Sequence, residues 1–148
     1  MNRSRPRPSH HEDMDARQSR LIQESWSRLE PRANELARAF YDRLFELDPR
    51  IRDLFAATEM DSQSAKFVAM LSEVVRLARD PDRFEATLEA SGRRHAGYGV
   101  VAAHYATVGE ALLWAIERAR APEALDQDTR EAWAEAYTRM AFIMQRAG

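Results

Sequence analysis

A chain of 148 residues is long enough to bury one core but not two, and 45% apolar content with only five glycines and six prolines marks an ordinary globular domain. The net charge of −2 gives no reason to expect nucleic acid or an anionic membrane as a partner, and the lack of cysteine excludes disulfides, thiolate metal sites and cysteine nucleophiles. No apolar run approaches the roughly 18 residues of a membrane-spanning helix, and the Arg-rich start lacks the apolar stretch of a signal peptide, so the expected location is the cytoplasm.

Residues 1–14 are polar, carry two prolines and show no apolar periodicity, and read as a disordered tail in which His10 and His11 form a solvated pair. From Asp15 the pattern is helical. Leu21, Ile22, Ser25, Trp26 and Leu29 fall on one helical face. Pro31 opens a second segment, as proline does at a first helical position; Leu36, Phe40, Leu44 and Leu47 are its apolar stripe, and Asp48-Pro49 stops it. Ile51, Leu54 and Phe55 make a short third piece. Asp61 or Ser62 is the predicted cap of the fourth, in which Gln63, Phe67, Met70, Val74 and Leu77 share a face. Asp80-Pro81-Asp82 starts a fifth, with Phe84 and Leu88 leading toward His95. Val108, Leu112, Leu113 and Ile116 mark a sixth that ends near Pro122. Leu125 through Ala147 supply the last, with Trp133, Tyr137, Met140, Ile143 and Met144 apolar. Strand alternation and internal repeats are not visible. The expected architecture is a single all-α domain of about seven helices over residues 15–148.

His95 is the chemically informative residue. It lies in Arg93-Arg94-His95-Ala96-Gly97-Tyr98-Gly99-Val100, on the apolar side of a helical stretch, with glycines close behind. An imidazole so placed can turn its ring into a pocket and bind a metal; taken by itself it reads first as a semi-buried structural histidine. The wider pattern changes that weighting. HAGYGVVAAHYATVGEALL, from His95 to Leu113, resembles the bacterial single-domain globins, relatives of the haem domain of flavohaemoglobins. LIQESW, AFYDRLFELDP, DLF, QSAKF and EAWAEAY follow in the order and spacing of that family, so the resemblance spans residues 15–147.

The resemblance implies the globin fold and haem b, iron protoporphyrin IX, held by His95 as the proximal ligand of a pentacoordinate iron. On the opposite side it assigns Tyr41 as the distal tyrosine, Phe55 as the ring that packs on the porphyrin, Gln63 as the distal glutamine and Phe67 as the apolar residue over the iron. Gln63 and Phe67 are four residues apart, which puts them on one helical face. Val100 and Val108 belong to the same haem-lining set. Lys66, the single lysine of the chain, either meets a haem propionate or is a solvated surface residue; Arg94 is a weaker propionate candidate. Tyr105 matches a tyrosine beside the proximal imidazole, where a glutamate on the last helix completes a triad in flavohaemoglobins. Here that position is Gly148, so the triad is incomplete and a strongly electron-donating, peroxidase-like histidine is not expected. His104 is expected at the surface or core edge. Ser91 departs from the apolar residue usual at its position, and its hydroxyl either bonds the imidazole or loosens the pocket.

The implied function is reversible binding of dioxygen, or of another diatomic gas such as carbon monoxide or nitric oxide, of the oxygen carrier or storage type. The alternative is nitric oxide dioxygenation. No glycine-rich dinucleotide motif is present, so turnover is expected to need an external reductase. A globin-type sensor or haem-free interaction module is a third reading. No nucleic-acid or membrane partner is expected, and the state is monomer or homodimer.

Overall fold

A computed structural model of the chain describes residues 10–120 and 125–148, with side chains from residue 16 onward. In order come α1 (His10–Leu29), a 3-10 turn (Glu30–Arg32), α2 (Ala33–Leu47), a 3-10 segment (Pro49–Phe55), α3 (Met60–Arg76), α4 (Pro81–Gly97), α5 (Ala102–Arg120) and α6 (Gln127–Ala147). The described residues contain no strand. The seven expected segments are all present, the third as a 3-10 segment rather than an α-helix. Pro49 fixes its first turn, and only Ile51 within it is buried, so it lacks the apolar stripe that would reward a longer α-helix. Helix α1 begins at His10, inside the stretch read as a tail. Residues 1–9, the His10 and His11 side chains and Pro122 lie outside the described residues.

The helix starts show how polar residues fix the register. Asp80 caps α4, its carboxylate accepting from the Arg83 amide at 3.4 Å, and Asp126 caps α6 through the Thr129 amide at 2.8 Å. The cap of α3 corrects the expectation at Asp61 or Ser62. It is Glu59, whose carboxylate accepts from the amides of Ser62 at 2.8 Å and Asp61 at 3.4 Å. A longer acidic side chain in extended backbone reaches the same orphan amides that a short cap would satisfy.

Helix α2 lies across α5 in the broadest contact of the fold, α4 lies along α6, and α3 rests on α1 and α2. The 3-10 segment and α2 also pack together. Helices α3 and α4 do not pack broadly on each other. Leu29, Leu36, Leu88 and Ile116 are fully enclosed, and burial of each such side chain is worth about 1.5–3 kcal/mol. In the centre, Trp133 donates its indole N–H to the buried Ser25 hydroxyl at 2.9 Å, so both polar groups are paired. Gly92 lets α4 and α6 meet backbone to backbone: a Cβ at that position would lie 2.2 Å from the Met144 carbonyl oxygen. No single helix among the described residues is long and apolar enough to cross a membrane.

Candidate functional site

Four of the expected site residues meet where α2, the 3-10 segment and α3 converge. Tyr41 is buried on α2, and Gln63 Nε2 donates to its hydroxyl at 3.1 Å. A phenol that accepts this bond keeps its own proton available for another acceptor. Burial raises the Tyr41 pKa above its ordinary value, a shift that the Gln63 bond opposes but does not cancel, so the group is a neutral O–H donor at physiological pH. Its ring is fixed by aromatic neighbours: edge-on contacts to Phe55 at 5.6 Å and Phe67 at 5.8 Å, with Phe67 stacked on Phe40 at 4.4 Å. Each such pair adds about 0.5–1.5 kcal/mol beyond area burial, and together they leave the phenol little rotational freedom. Along α3, Gln63, Phe67 and Met70 are half-buried while Val74 and Leu77 are buried. The first half of the shared face is therefore less enclosed than the second.

On α4, His95 is half-buried, and its Nδ1 lies 2.7 Å from the Ser91 carbonyl oxygen and 3.4 Å from the Ser91 hydroxyl. A carbonyl can only accept. Nδ1 therefore carries the ring proton and Nε2 bears the lone pair, and Nε2 has no partner among the described residues. After His95 the chain turns sharply. The amide of Val100 donates to the His95 carbonyl at 3.1 Å, and Gly99 adopts φ +90°, a conformation that favours glycine. A Cβ on Gly99 would lie 3.7 Å from Leu54, so the 3-10 segment and the α4–α5 turn approach each other.

The remaining expected residues are placed less directly. Val100 and Val108 are half-buried, the first against the cluster around Leu88 and Met140, the second against the larger core. Tyr105 is buried in the Leu88 cluster, and burial raises its pKa. Its backbone carbonyl accepts from the Tyr137 hydroxyl at 2.7 Å. Lys66 and Arg94 are exposed. His104 stands at the start of α5, its Nδ1 accepting from the Val101 amide at 3.1 Å. Position 148 does abut α4, since a Cβ there would lie 3.0 Å from the Cβ of Ala96, next to His95; glycine brings no side-chain carboxylate. Two residues escaped the sequence reading. Glu59 sets the start of the helix that carries Gln63, and Tyr137, read as merely apolar, anchors Tyr105. The signal for Tyr137 is Gly109, one helical turn after Tyr105, where a Cβ would lie 2.6 Å from the Tyr137 ring.

Residues 38–144 match the globin family, to which the chain belongs. It is 30% identical over 129 residues to an anaerobic nitrite reductase of Oryza sativa subsp. indica, covering 84% of this chain and 88% of that protein. Among solved structures it is similar to an engineered carbene transferase, a candidate nitric oxide dioxygenase from Rhodothermus marinus, at 28% identity and a TM-score of 0.77, covering 87% of this chain and 89% of that one. A bacterial globin from Campylobacter jejuni shares the fold with a TM-score of 0.77 at 22% identity, over 89% of this chain and 94% of the other.

Membership implies a haem cofactor, and the residues present fit one. Among the described residues no group of three or more His, Cys, Asp or Glu could hold a bare ion, whereas one imidazole with a free Nε2 suits an iron that arrives with four macrocyclic nitrogens. Among the described residues, three of the four large apolar side chains left exposed, Leu54, Tyr98 and Val101, lie on the 3-10 segment and the α4–α5 turn, as the flanks of an apolar crevice should.

Proposed function

We propose that the protein binds haem b without a covalent link, through His95 Nε2, and reversibly binds dioxygen or another diatomic gas in the pocket bordered by Tyr41, Phe55, Gln63 and Phe67. The observation that carries this reading is the tautomer of His95: its protonated Nδ1 is held by the Ser91 carbonyl, and Nε2 is left with a lone pair and no partner. The absence of cysteine, without which thioether attachment is impossible, supports a non-covalent haem such as the b type. Haem iron, when bound, supplies the open coordination position at which a diatomic gas is taken up and released.

The chain's own residues then set affinity. Tyr41, fixed by its aromatic neighbours and accepting from Gln63, presents its O–H to the charge that dioxygen acquires on binding. Phe55 and Phe67 keep the site dry, which strengthens that bond. Val100 and Val108 pack the macrocycle, and Lys66 meets a propionate. The sequence pattern supports kinship with the single-domain relatives of flavohaemoglobin haem domains, with position 148 supplying no side-chain carboxylate to the proximal side. Absorption spectra of the haem-loaded ferrous protein under argon, dioxygen and carbon monoxide test the function. Distinct spectra that revert on removing the gas are expected; a ferrous spectrum indifferent to both gases rules the reading out.

A second reading is nitric oxide dioxygenation, in which dioxygen and nitric oxide combine to nitrate and an external reductase restores the ferrous state. The Tyr41–Gln63 pair favours it, because slow dioxygen release keeps the reactant in place. The names of the rice and Rhodothermus relatives, both concerned with oxides of nitrogen, point the same way. Rapid mixing of the dioxygen-loaded protein with nitric oxide should yield stoichiometric nitrate, and sustained consumption should appear only when a reductase is added.

A further inference from the structure

The Ser91 hydroxyl has a role that its position on the helix does not require. Serine in a helix ordinarily points to solvent or bonds the carbonyl one turn back. Ser91 does neither: it is 2% exposed, and its Oγ has a single hydrogen-bonding partner among the described residues, His95 Nδ1 at 3.4 Å. The same ring nitrogen has the Ser91 carbonyl at 2.7 Å. Since the carbonyl fixes the proton on Nδ1, the hydroxyl at that nitrogen must accept as well, and the N–H is shared between two oxygens of one residue.

We propose that Ser91 is a positioning residue for His95: its buried hydroxyl, with its own carbonyl, forms a three-centre acceptor for the imidazole N–H and adds electron donation at the ring where position 148 offers no side-chain carboxylate. The proposal rests on the reading that His95 holds haem iron. Two acceptors on one N–H pin the ring in rotation as well as in tautomer, because both lie on the same turn of α4. They also pull the proton from the ring more than the carbonyl alone, which makes Nε2 a better donor to a metal. Glycine at 148 leaves the space beside Ala96 and Gly92 without a competing side chain, so the serine oxygens are the acceptors available to that proton among the described residues.

The test compares haem-loaded wild type, Ser91→Ala and Ser91→Thr. Ser91→Ala deletes the hydroxyl but keeps the carbonyl; Ser91→Thr restores an acceptor. Three quantities are read: the iron–histidine stretching frequency by resonance Raman, the midpoint reduction potential, and the rate of haem transfer to an acceptor globin. Expected for Ser91→Ala are a lower stretching frequency, a higher potential and haem loss faster by about tenfold, the low end for an outer-shell partner of a metal ligand, with Ser91→Thr returning all three toward wild type. A haem-loaded Ser91→Ala protein with unchanged frequency and potential overturns the proposal, even if it melts at a lower temperature, since packing alone moves only the latter. If His95→Ala retains haem with a spectrum identical to that of wild type, the assignment of His95 as ligand fails instead, and the two failures are told apart.

Discussion

Gln63 approaches Tyr41 as a donor at 3.1 Å and occupies a lone pair of the phenol, which leaves the phenol proton for another acceptor. Replacing Tyr41 with phenylalanine keeps the ring among Phe40, Phe55 and Phe67 and removes only the O–H. A hydrogen bond to a charged acceptor contributes about 1.5–3 kcal/mol, so dioxygen release from Tyr41→Phe should accelerate roughly ten- to a hundredfold. Flash photolysis or ligand-replacement mixing measures that rate; an unchanged value shows that the phenol proton points elsewhere. Tyr41, Gln63 and His95 were singled out in the sequence by the resemblance to the globins, and the structure brings the first two within 3.1 Å of each other. The bond between Ser91 and His95 was legible only as one of two alternatives, since whether a helical serine turns toward a ring one turn away depends on rotamers that the sequence does not state. Tyr137 was hidden for a related reason: a tyrosine in an apolar stripe shows its body to the pattern, and its hydroxyl finds a partner only in three dimensions.

Helix ends and crossings carry stability that the pocket depends on. The Ser62 amide, first by its backbone bond, holds the Glu59 carboxyl below its ordinary value of 4.5, and the Thr129 amide does the same for Asp126, whose ordinary value is 3.8. Both folded-state values are depressed. The stabilisation is therefore complete above the ordinary values and is lost as pH falls through the lowered ones. Thermal melts of wild type should lose midpoint temperature between about pH 5 and pH 3, and the double variant Glu59→Gln/Asp126→Asn should show a flatter profile over that window. Parallel profiles would remove the caps from the explanation. Crossing geometry gives a sharper test. In Gly92→Ala the new methyl meets the Met144 carbonyl oxygen, backbone against backbone, with no flexible atom to yield. Overpacking of this kind costs about 1–3 kcal/mol, and a midpoint lower by roughly 2–12 °C follows for a domain of this size; an unshifted midpoint means that α4 and α6 sit farther apart. Periodicity exposed every helix here, because each has an apolar stripe. It misplaced the α3 cap, since a glutamate two residues ahead of Asp61 can reach the same amides from extended backbone.

At the scale of the whole molecule, the order of segments was readable from end to end, and the likeness to known globins agrees with it. What the sequence did not show is that α3 and α4 do not pack broadly on each other, which is where a haem crevice would lie. A crevice is a property of how helices fail to meet, and it leaves only indirect traces, such as Leu54 and Val101 at 40% and 55% exposure. If that crevice takes haem, loading links to folding. A ligand held at about a hundred times its dissociation constant stabilises by roughly 2.7 kcal/mol, so hemin should raise the melting midpoint by roughly 5–10 °C. A midpoint indifferent to hemin would mean that the crevice does not bind it in the folded state.

His95 as the group that holds haem is best tested by titrating hemin into purified wild type and His95→Ala while recording the absorption spectrum. Wild type should develop a sharp, shifted Soret band that saturates at one haem per chain, and His95→Ala should bind weakly and surrender its haem to an acceptor protein. Equal binding and identical spectra in the two proteins would show that His95 Nε2 is not the ligand.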